Sequence, residues 1–259
     1  MTTILQAQNV SKIFEGRNGS RVLAIENLSM NVEEGEFLCL LGTSGCGKST
    51  IINMFAGFTS PSSGSVKLLG ESIKGIEPRC GMVFQAYALF PWKTVIENVE
   101  FGLKMQGIGR KERNEQALHY LDLVKLTGFA NHFPMELSGG MQQRVTIARC
   151  LTANPEVLLM DEPFAALDAM TRQVMQEELL RIQEVSKKTI VFITHNIDEA
   201  LILADRIIVL SARPGRVKEI FKNDLTRPRH VNIQLEPEYA TLKLKIWRAV
   251  EDEVSRQLN

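Results

Sequence analysis

Apolar positions in the first third of the chain fall into short runs separated by glycine: "ILQAQNVSKIF", "EFLCLLG", "GSVKLLG" and "CGMVFQ". Runs of that length bounded by turn residues predict β-strands. From about residue 95 to 151 the spacing becomes helical, first in "VIENVEFGLKM" and then in "ERNEQALHYLDLVKL", which places Leu118, Leu121 and Val124 on one face. This stretch predicts a helical insert. Beyond it come strand "EVLLMDEP", helix "DAMTRQVMQEELLRIQEVSKK", strand "TIVFITH", helix "NIDEALILA" and strand "RIIVLSA". Such alternation predicts a parallel sheet with crossover helices. The tail from Pro214 is irregular until "YATLKLKIWRAVEDEVSRQL", where Ile246, Trp247, Val250 and Val254 recur at helical spacing and predict a terminal helix packed on the domain.

Composition narrows the class. With 259 residues and 44% hydrophobic content the chain can fill the core of a large α/β domain, which excludes a disordered protein. Thirty basic and thirty acidic side chains cancel, so no global field draws the protein to nucleic acid or to an anionic bilayer, and no nucleic-acid partner is expected. Cys39, Cys46, Cys80 and Cys150 form no CxxC pair, and "MTTILQAQNVSK" lacks the charged-then-apolar order of a signal peptide, which together predict a reduced cytosolic protein. The apolar run "EALILADRIIVL" is broken by Asp205 and Arg206, well short of the roughly 20 residues that cross a bilayer. A membrane role would therefore come through a partner.

The chemistry concentrates at a few strand ends. "GTSGCGKST", residues 42–50, fits GxxxxGK[ST] between an apolar strand and a helix carrying Ile51, Ile52 and Phe55, the context that the phosphate-loop motif requires. Gly42, Gly45 and Gly47 let backbone amides turn inward around a β-phosphate, Lys48 adds a charge between β and γ, and Ser49 offers an oxygen to Mg2+. The apolar strand "VLLM" ends in Asp161 and Glu162, delivered to the sheet edge where α/β proteins bind ligands. Asp161 is assigned to the inner or outer shell of the metal, and Glu162 to accepting a proton from an attacking water. His195, directly after "TIVFIT", is either a γ-phosphate contact or a helix cap. Gln85 could coordinate Mg2+ or the attacking water, and Phe14 could stack an adenine or belong to the core. His119, His132 and His230 lack metal-ligand spacing and are read as surface residues. A second helix start, "LSGGMQQRV" at 137–145, has Ser138 as cap and Gly139 and Gly140 exposing its first amides, a site for an anion without a lysine.

Taken in order, the phosphate loop, Gln85, "LSGGM", "VLLMDEP", "ALD" at 166–168 and His195 resemble the nucleotide-binding subunit of ATP-binding cassette (ABC) transporters, over residues 4–210. The stretches "LFPWKTVIENVEFGL", "DEPFAALDAMTR" and "ARPGRV", with the tail, look like importer ATPases of the nitrate, sulfonate, taurine and bicarbonate group. The resemblance implies an α/β fold: an ABC-type nucleotide-binding domain over residues 1–212, with a RecA-like phosphate-loop core, an antiparallel β subdomain and a helical subdomain near 90–151. A C-terminal extension, 213–259, would end in a helix. It implies hydrolysis of ATP with Mg2+ by two cassettes packed head to tail. Phe14, Gly42, Thr43, Ser44, Gly45, Cys46, Gly47, Lys48, Ser49, Thr50, Gln85, Asp161, Glu162 and His195 would serve the nucleotide in cis, with Ser49, Gln85 and Asp161 on the metal. Ser138, Gly139 and Gly140 would close over the γ-phosphate held by the other copy, and Asp168 would lie near the partner's phosphate loop.

Two departures from the family pattern are small: Phe14 stands where tyrosine is common, and Met141 where glutamine is frequent. The implied partners are a second ATPase subunit, identical or homologous, integral membrane permease subunits, and a periplasmic or lipid-anchored solute-binding protein. The implied location is the cytoplasmic face of the inner membrane, peripheral through the permease. Tyr87, Leu89, Phe90 and Trp92 either line a groove for a permease helix or are ordinary core. The alternative is a soluble cassette unconnected with transport, of the iron–sulfur assembly type. A kinase or GTPase would need an acceptor site or an NKxD segment, and neither is visible.

Overall fold

The computed structural model describes residues 2–16 and 19–258, apart from the side chains at 231 and 254–258. Along the chain run β1 (Thr3–Glu15), β2 (Arg21–Glu33), β3 (Phe37–Leu41), α1 (Lys48–Phe55), β4 (Ser63–Leu68), β5 (Glu71–Ser72), β6 (Cys80–Val83), α2 (Val95–Val99), α3 (Phe101–Met105) and α4 (Arg110–Leu123). They are followed by α5 (Gly139–Thr152), β7 (Val157–Asp161), α6 (Ala169–Ser186), β8 (Thr189–Thr194), α7 (Ile197–Leu203), β9 (Arg206–Leu210), β10 (Val217–Lys222) and α8 (Pro237–Leu258). Two compact units share these elements: Met1–Pro78 with Lys188–Asn259, and Arg79–Lys187.

In the first unit, β2, β1, β4 and β5 form an antiparallel sheet in that order. Its inward face carries Leu5, Ala7, Val10, Ile25, Leu28 and Val32, all essentially buried. The sequence pattern does not predict β2. Register shifts between β1 and β2, with Asn9 and Asn27 at φ 48° and 45°, break the strict alternation that marks a strand. The second layer centres on β3, which runs parallel to β8 on one side and β9 on the other, with β10 antiparallel at the edge. Every residue of β3 and β8 is buried, as continuous apolar strands covered on both faces must be, and the Phe37 and Phe192 rings meet at 5.8 Å. α7 packs on β3 and β8, and α8 on α7, β9 and β10. α8 buries Tyr239, Ile246, Ala249 and Glu253, whereas Trp247 is 52% exposed. The terminal stripe thus faces the protein through Ile246 and not through Trp247; the side chain of Val254 lies outside the described residues.

In the second unit β6 runs parallel to β7, and α2, α3 and α4 gather around α5, whose Val145, Ile147, Ala148 and Leu151 are buried. On α4 the buried line is Ala117 and Leu121, continued by Val124, with Leu118 half-buried at its margin. The predicted single helix over "VIENVEFGLKM" is broken at Glu100 into two short ones. All four cysteines are buried and none is in a disulfide. Burial pushes the Cys39 thiol well up and that of Cys150 to about 11, so both remain protonated packing residues. Among the described residues no helix is long and apolar enough to cross a membrane.

Candidate functional site

The first unit holds the phosphate loop. After β3 the chain turns through residues 42–47 into α1 with Gly45 and Gly47 at φ +79° and +97°, conformations that L side chains rarely adopt. A Cβ on Gly47 would also meet Ile25 Cδ1 at 2.3 Å. Lys48 is 5% exposed and donates from Nζ to the carbonyls of Gly42 at 2.8 Å and Thr43 at 3.0 Å, so the loop is folded around its own cation. The Thr43 hydroxyl is buried without a hydrogen-bond partner, and the first amides of α1 have no helical acceptors. A triphosphate fits these groups: it supplies oxygens to the orphan Thr43 hydroxyl, to the Lys48 ammonium and to a helix N-terminus. Ser44, Gly45 and Ser49 are exposed, Gly47 and Thr50 half-buried and Cys46 buried. A hydroxyl on the exposed residue Ser49 suits Mg2+, which takes few protein ligands and keeps several waters.

His195 follows β8 directly and is exposed. The helix cap considered for it belongs to its neighbour: Asn196 Oδ1 accepts the amides of Asp198 at 2.8 Å and Glu199 at 3.3 Å. Phe14 is 43% exposed on β1 with the Lys12 ammonium 5.1 Å from its ring centre, which removes the core reading. His119 and His230 are exposed and His132 half-buried.

The second unit brings the other residues together at the ends of β6 and β7. The strands are parallel, so Gln85, two residues past β6, and the pair Asp161 and Glu162 leave the same edge. Val157–Met160 are fully buried, Asp161 and Glu162 half-buried, Gln85 exposed. Glu162 has φ +43°, a left-handed conformation that costs a non-glycine residue on the order of 1 kcal/mol or more, at the point where the strand ends. Ser138 caps α5 and its Oγ accepts the Met141 amide at 3.4 Å. The glycines after it have close neighbours: a Cβ on Gly139 would meet the Tyr87 hydroxyl at 2.8 Å, and one on Gly140 the Thr171 Cγ2 at 2.6 Å. Thr171 also donates from its amide, at 3.0 Å, and from its hydroxyl, at 2.6 Å, to Asp168, the cap of α6. Those bonds hold the exposed Asp168 carboxyl below its usual value. A cavity of about 290 Å3 opens here, lined by Ser138, Gly140, Arg144 and Thr171 among others.

The aromatic segment after Gln85 is divided. Phe90 is half-buried against Phe101, ring centres 4.6 Å apart, while Trp92 is 71% exposed. Its backbone is held by two residues that sequence reasoning missed. Buried Asn98 accepts the Phe90 amide at 2.8 Å and donates to the carbonyls of Phe90, Lys93 and Thr94. Arg149 donates to the Ala88 carbonyl at 2.8 Å. A polar residue amid the apolar positions of "VIENV" was the available signal for Asn98.

A family model described as ABC transporter matches residues 25–165. The chain belongs to the ABC transporter family. An ABC transporter ATP-binding protein of Methanocaldococcus jannaschii is 50% identical over 258 residues, spanning 100% of this chain and 95% of that protein. The nitrate import ATP-binding protein of Synechocystis sp. is 46% identical over 241 residues, 91% of this chain and 90% of that protein. The taurine import ATP-binding protein of Rhizobium johnstonii is 46% identical over 248 residues, 94% and 95%. Among solved structures, a dimeric post-hydrolysis ATP-binding cassette bound to ADP and Pi overlays with a TM-score of 0.75 at 34% identity, over 86% of this chain and 100% of that one. The fold is that of an ABC nucleotide-binding domain, and this cassette is an ATP-binding ATPase.

Proposed function

We propose that this ABC cassette is the ATP-hydrolysing subunit of an importer for a small anionic or polar solute of nitrate, sulfonate, taurine or bicarbonate type. The observation that carries the reading is a phosphate loop folded around buried Lys48 together with a separate helix start at Ser138, Gly139 and Gly140 that has no basic residue in its first turn. Lys48, the loop amides of residues 42–50 and the Thr43 hydroxyl hold the phosphates in cis, and Phe14 stacks the base. Mg2+, held by Ser49, Gln85 and Asp161, would neutralise phosphate charge as a Lewis acid. Glu162 accepts a proton from the attacking water, and His195 donates to the γ-phosphate. Ser138, Gly139 and Gly140 close over the nucleotide of a second copy or a homologous subunit. A helix N-terminus stabilises an anion brought to it, so ATP favours the closed pair and ADP does not.

The catalytic cassette is assigned to residues 1–212, with its helical subdomain near 90–151 and the extension at 213–259. The exposed Trp92, on a backbone braced by Asn98, is where permease helices would engage; the proposed location is the cytoplasmic face of the inner membrane, with a periplasmic or lipid-anchored solute-binding protein in the full complex. Names of relatives support the importer class, since the Synechocystis and Rhizobium proteins are nitrate and taurine import ATP-binding proteins. Purification from detergent-solubilised membranes tests it. Recovery with a multi-span protein, and solute uptake that stops in Lys48→Ala cells, is the expected result; recovery with soluble partners alone would favour the iron–sulfur assembly type.

A further inference from the structure

The phosphate loop does not stand alone in its unit. Its outer side rests on the turn between β9 and β10, residues 211–216. A Cβ on Gly215 would meet the Cys46 carbonyl at 2.2 Å and Ile25 Cδ1 at 2.9 Å, so the two backbones touch with no room for a side chain. The Leu210 carbonyl lies 3.4 Å from a Cβ built on Gly42, and the Arg213 guanidinium 3.0 Å from one on Gly45. Residues 42, 45 and 46 of the loop therefore lean on 210–215.

The turn is braced mostly by hydrogen bonds. Gly215 donates to the Ala24 carbonyl at 2.9 Å and accepts the Glu26 amide at 3.0 Å, and Ser211 Oγ bridges the Pro214 carbonyl and the Arg216 amide. On its other side opens a cavity of about 800 Å3, lined by Ser44, Ser211, Ala212, Val217, Lys218 and Glu253 among others. Among the described residues, one side chain of the terminal helix lines this cavity. Glu253 of α8 is 2% exposed; its Oε2 accepts the Ala212 amide at 2.8 Å and its Oε1 faces Lys218 Nζ at 2.8 Å. Lys218 in turn donates to the Ala249 carbonyl of the same helix at 2.8 Å. A carboxylate is taken out of water only at considerable cost, and here the bonds that offset the cost pin the turn to the terminal helix.

We infer that Glu253 is a positioning residue for ATP: through the Ala212 amide it clamps the β9–β10 turn against the back of the phosphate loop, making the C-terminal helix a determinant of nucleotide affinity. The inference rests on the loop being the ATP site. Without the clamp the turn relaxes into the cavity, and the loop must be ordered by the nucleotide itself, which lowers affinity. The clamp acts alike on bound substrate and transition state, so its loss raises KM and leaves kcat nearly unchanged.

The test measures MgATP affinity by isothermal titration together with KM and kcat. Glu253→Ala is expected to raise Kd and KM for ATP roughly tenfold with kcat within about twofold. Glu253→Gln keeps an acceptor for the Ala212 amide and is expected to stay within about threefold of wild type. Gly215→Ala approaches the same contact from the turn and raises KM in the same way, which covers the case where Glu253→Ala fails to fold. Tyr239→Phe removes the bond to Asp198 at the other end of α8 and serves as the structural control, lowering Tm without moving KM. If Glu253→Ala and Gly215→Ala keep the wild-type KM, or Glu253→Gln is as poor as Glu253→Ala, the inference is overturned. Wild-type protein that fails to bind MgATP would instead overturn the loop assignment beneath it.

Discussion

The helix starts of α1 and α5 both pair glycine with a candidate phosphate contact, and they differ in the first residue of consequence. α1 begins with a buried lysine behind a left-handed glycine and has no side-chain cap; α5 begins with an exposed serine that caps it. The first is a closed loop around a charge. The second offers a hydroxyl and a helix dipole, whose attraction for an anion is worth about 0.3–1 kcal/mol at an exposed site. A charge in a buried loop binds a nucleotide by itself, whereas a weak grip adds only to an anion already held elsewhere. That difference in strength is the physical ground for giving Ser138 to a partner's nucleotide.

The sharpest way to break the comparison is to remove the chemistry and keep both grips. Glu162→Gln is expected to lower phosphate release by about 10^2–10^4-fold, the contribution of a positioned base, while ATP binding stays intact and a dimer accumulates on gel filtration. Wild-type turnover in that variant would take Glu162 out of the reaction. Lys48→Ala opens the strong grip and should weaken ATP binding and slow turnover by about 10^2-fold, the scale of losing a preorganised charge. Ser138→Ala weakens the other: turnover should fall by about tenfold, the helix should lose about 1 kcal/mol of stability, and the ATP affinity of dilute protein should not change. A fall in affinity at high dilution would place Ser138 in cis.

The smallest effect concerns the frame that carries the weak grip. Burial raises the Glu178 carboxyl, but hydrogen bonds and charge from Arg181 and Lys125 more than reverse this and hold it below its usual value. A carboxyl lowered on folding contributes stability that is complete above the ordinary glutamate range and is lost as pH falls through the folded value. The Tm of wild type should therefore drop more steeply than that of Glu178→Gln below about pH 4, with the two slopes alike near neutrality.

Much of this was legible because the motifs are local. The strand ends carrying Lys48, Asp161 and His195 follow from continuous apolar runs, and each becomes a buried parallel strand. What stayed hidden depended on neighbours. β2 escapes because register shifts disturb its period, and β10 because only Phe221 of its six residues is buried, leaving an edge strand with charged faces. The left-handed backbone of Glu162 has no sequence signal, since glutamate ordinarily avoids it. "ARPGRV" was read as a family mark, yet Gly215 is required there by the Cys46 carbonyl, a contact between residues far apart in sequence. The split of the helix at Glu100 is invisible to periodicity, because helical hydrogen bonds run to Ile96 before it and from Lys104 after it.

The central claim is that the strong and weak grips on one ATP come from different copies, and mixing two crippled variants tests it most directly. Lys48→Ala and Ser138→Arg are each expected to be nearly inactive alone. In a mixed head-to-tail dimer one site carries both defects and the other carries none, so equal mixing should restore roughly a quarter of wild-type turnover under random pairing. Turnover in the mixture that only averages the two separate variants would mean both grips act within one chain, and would contradict the account.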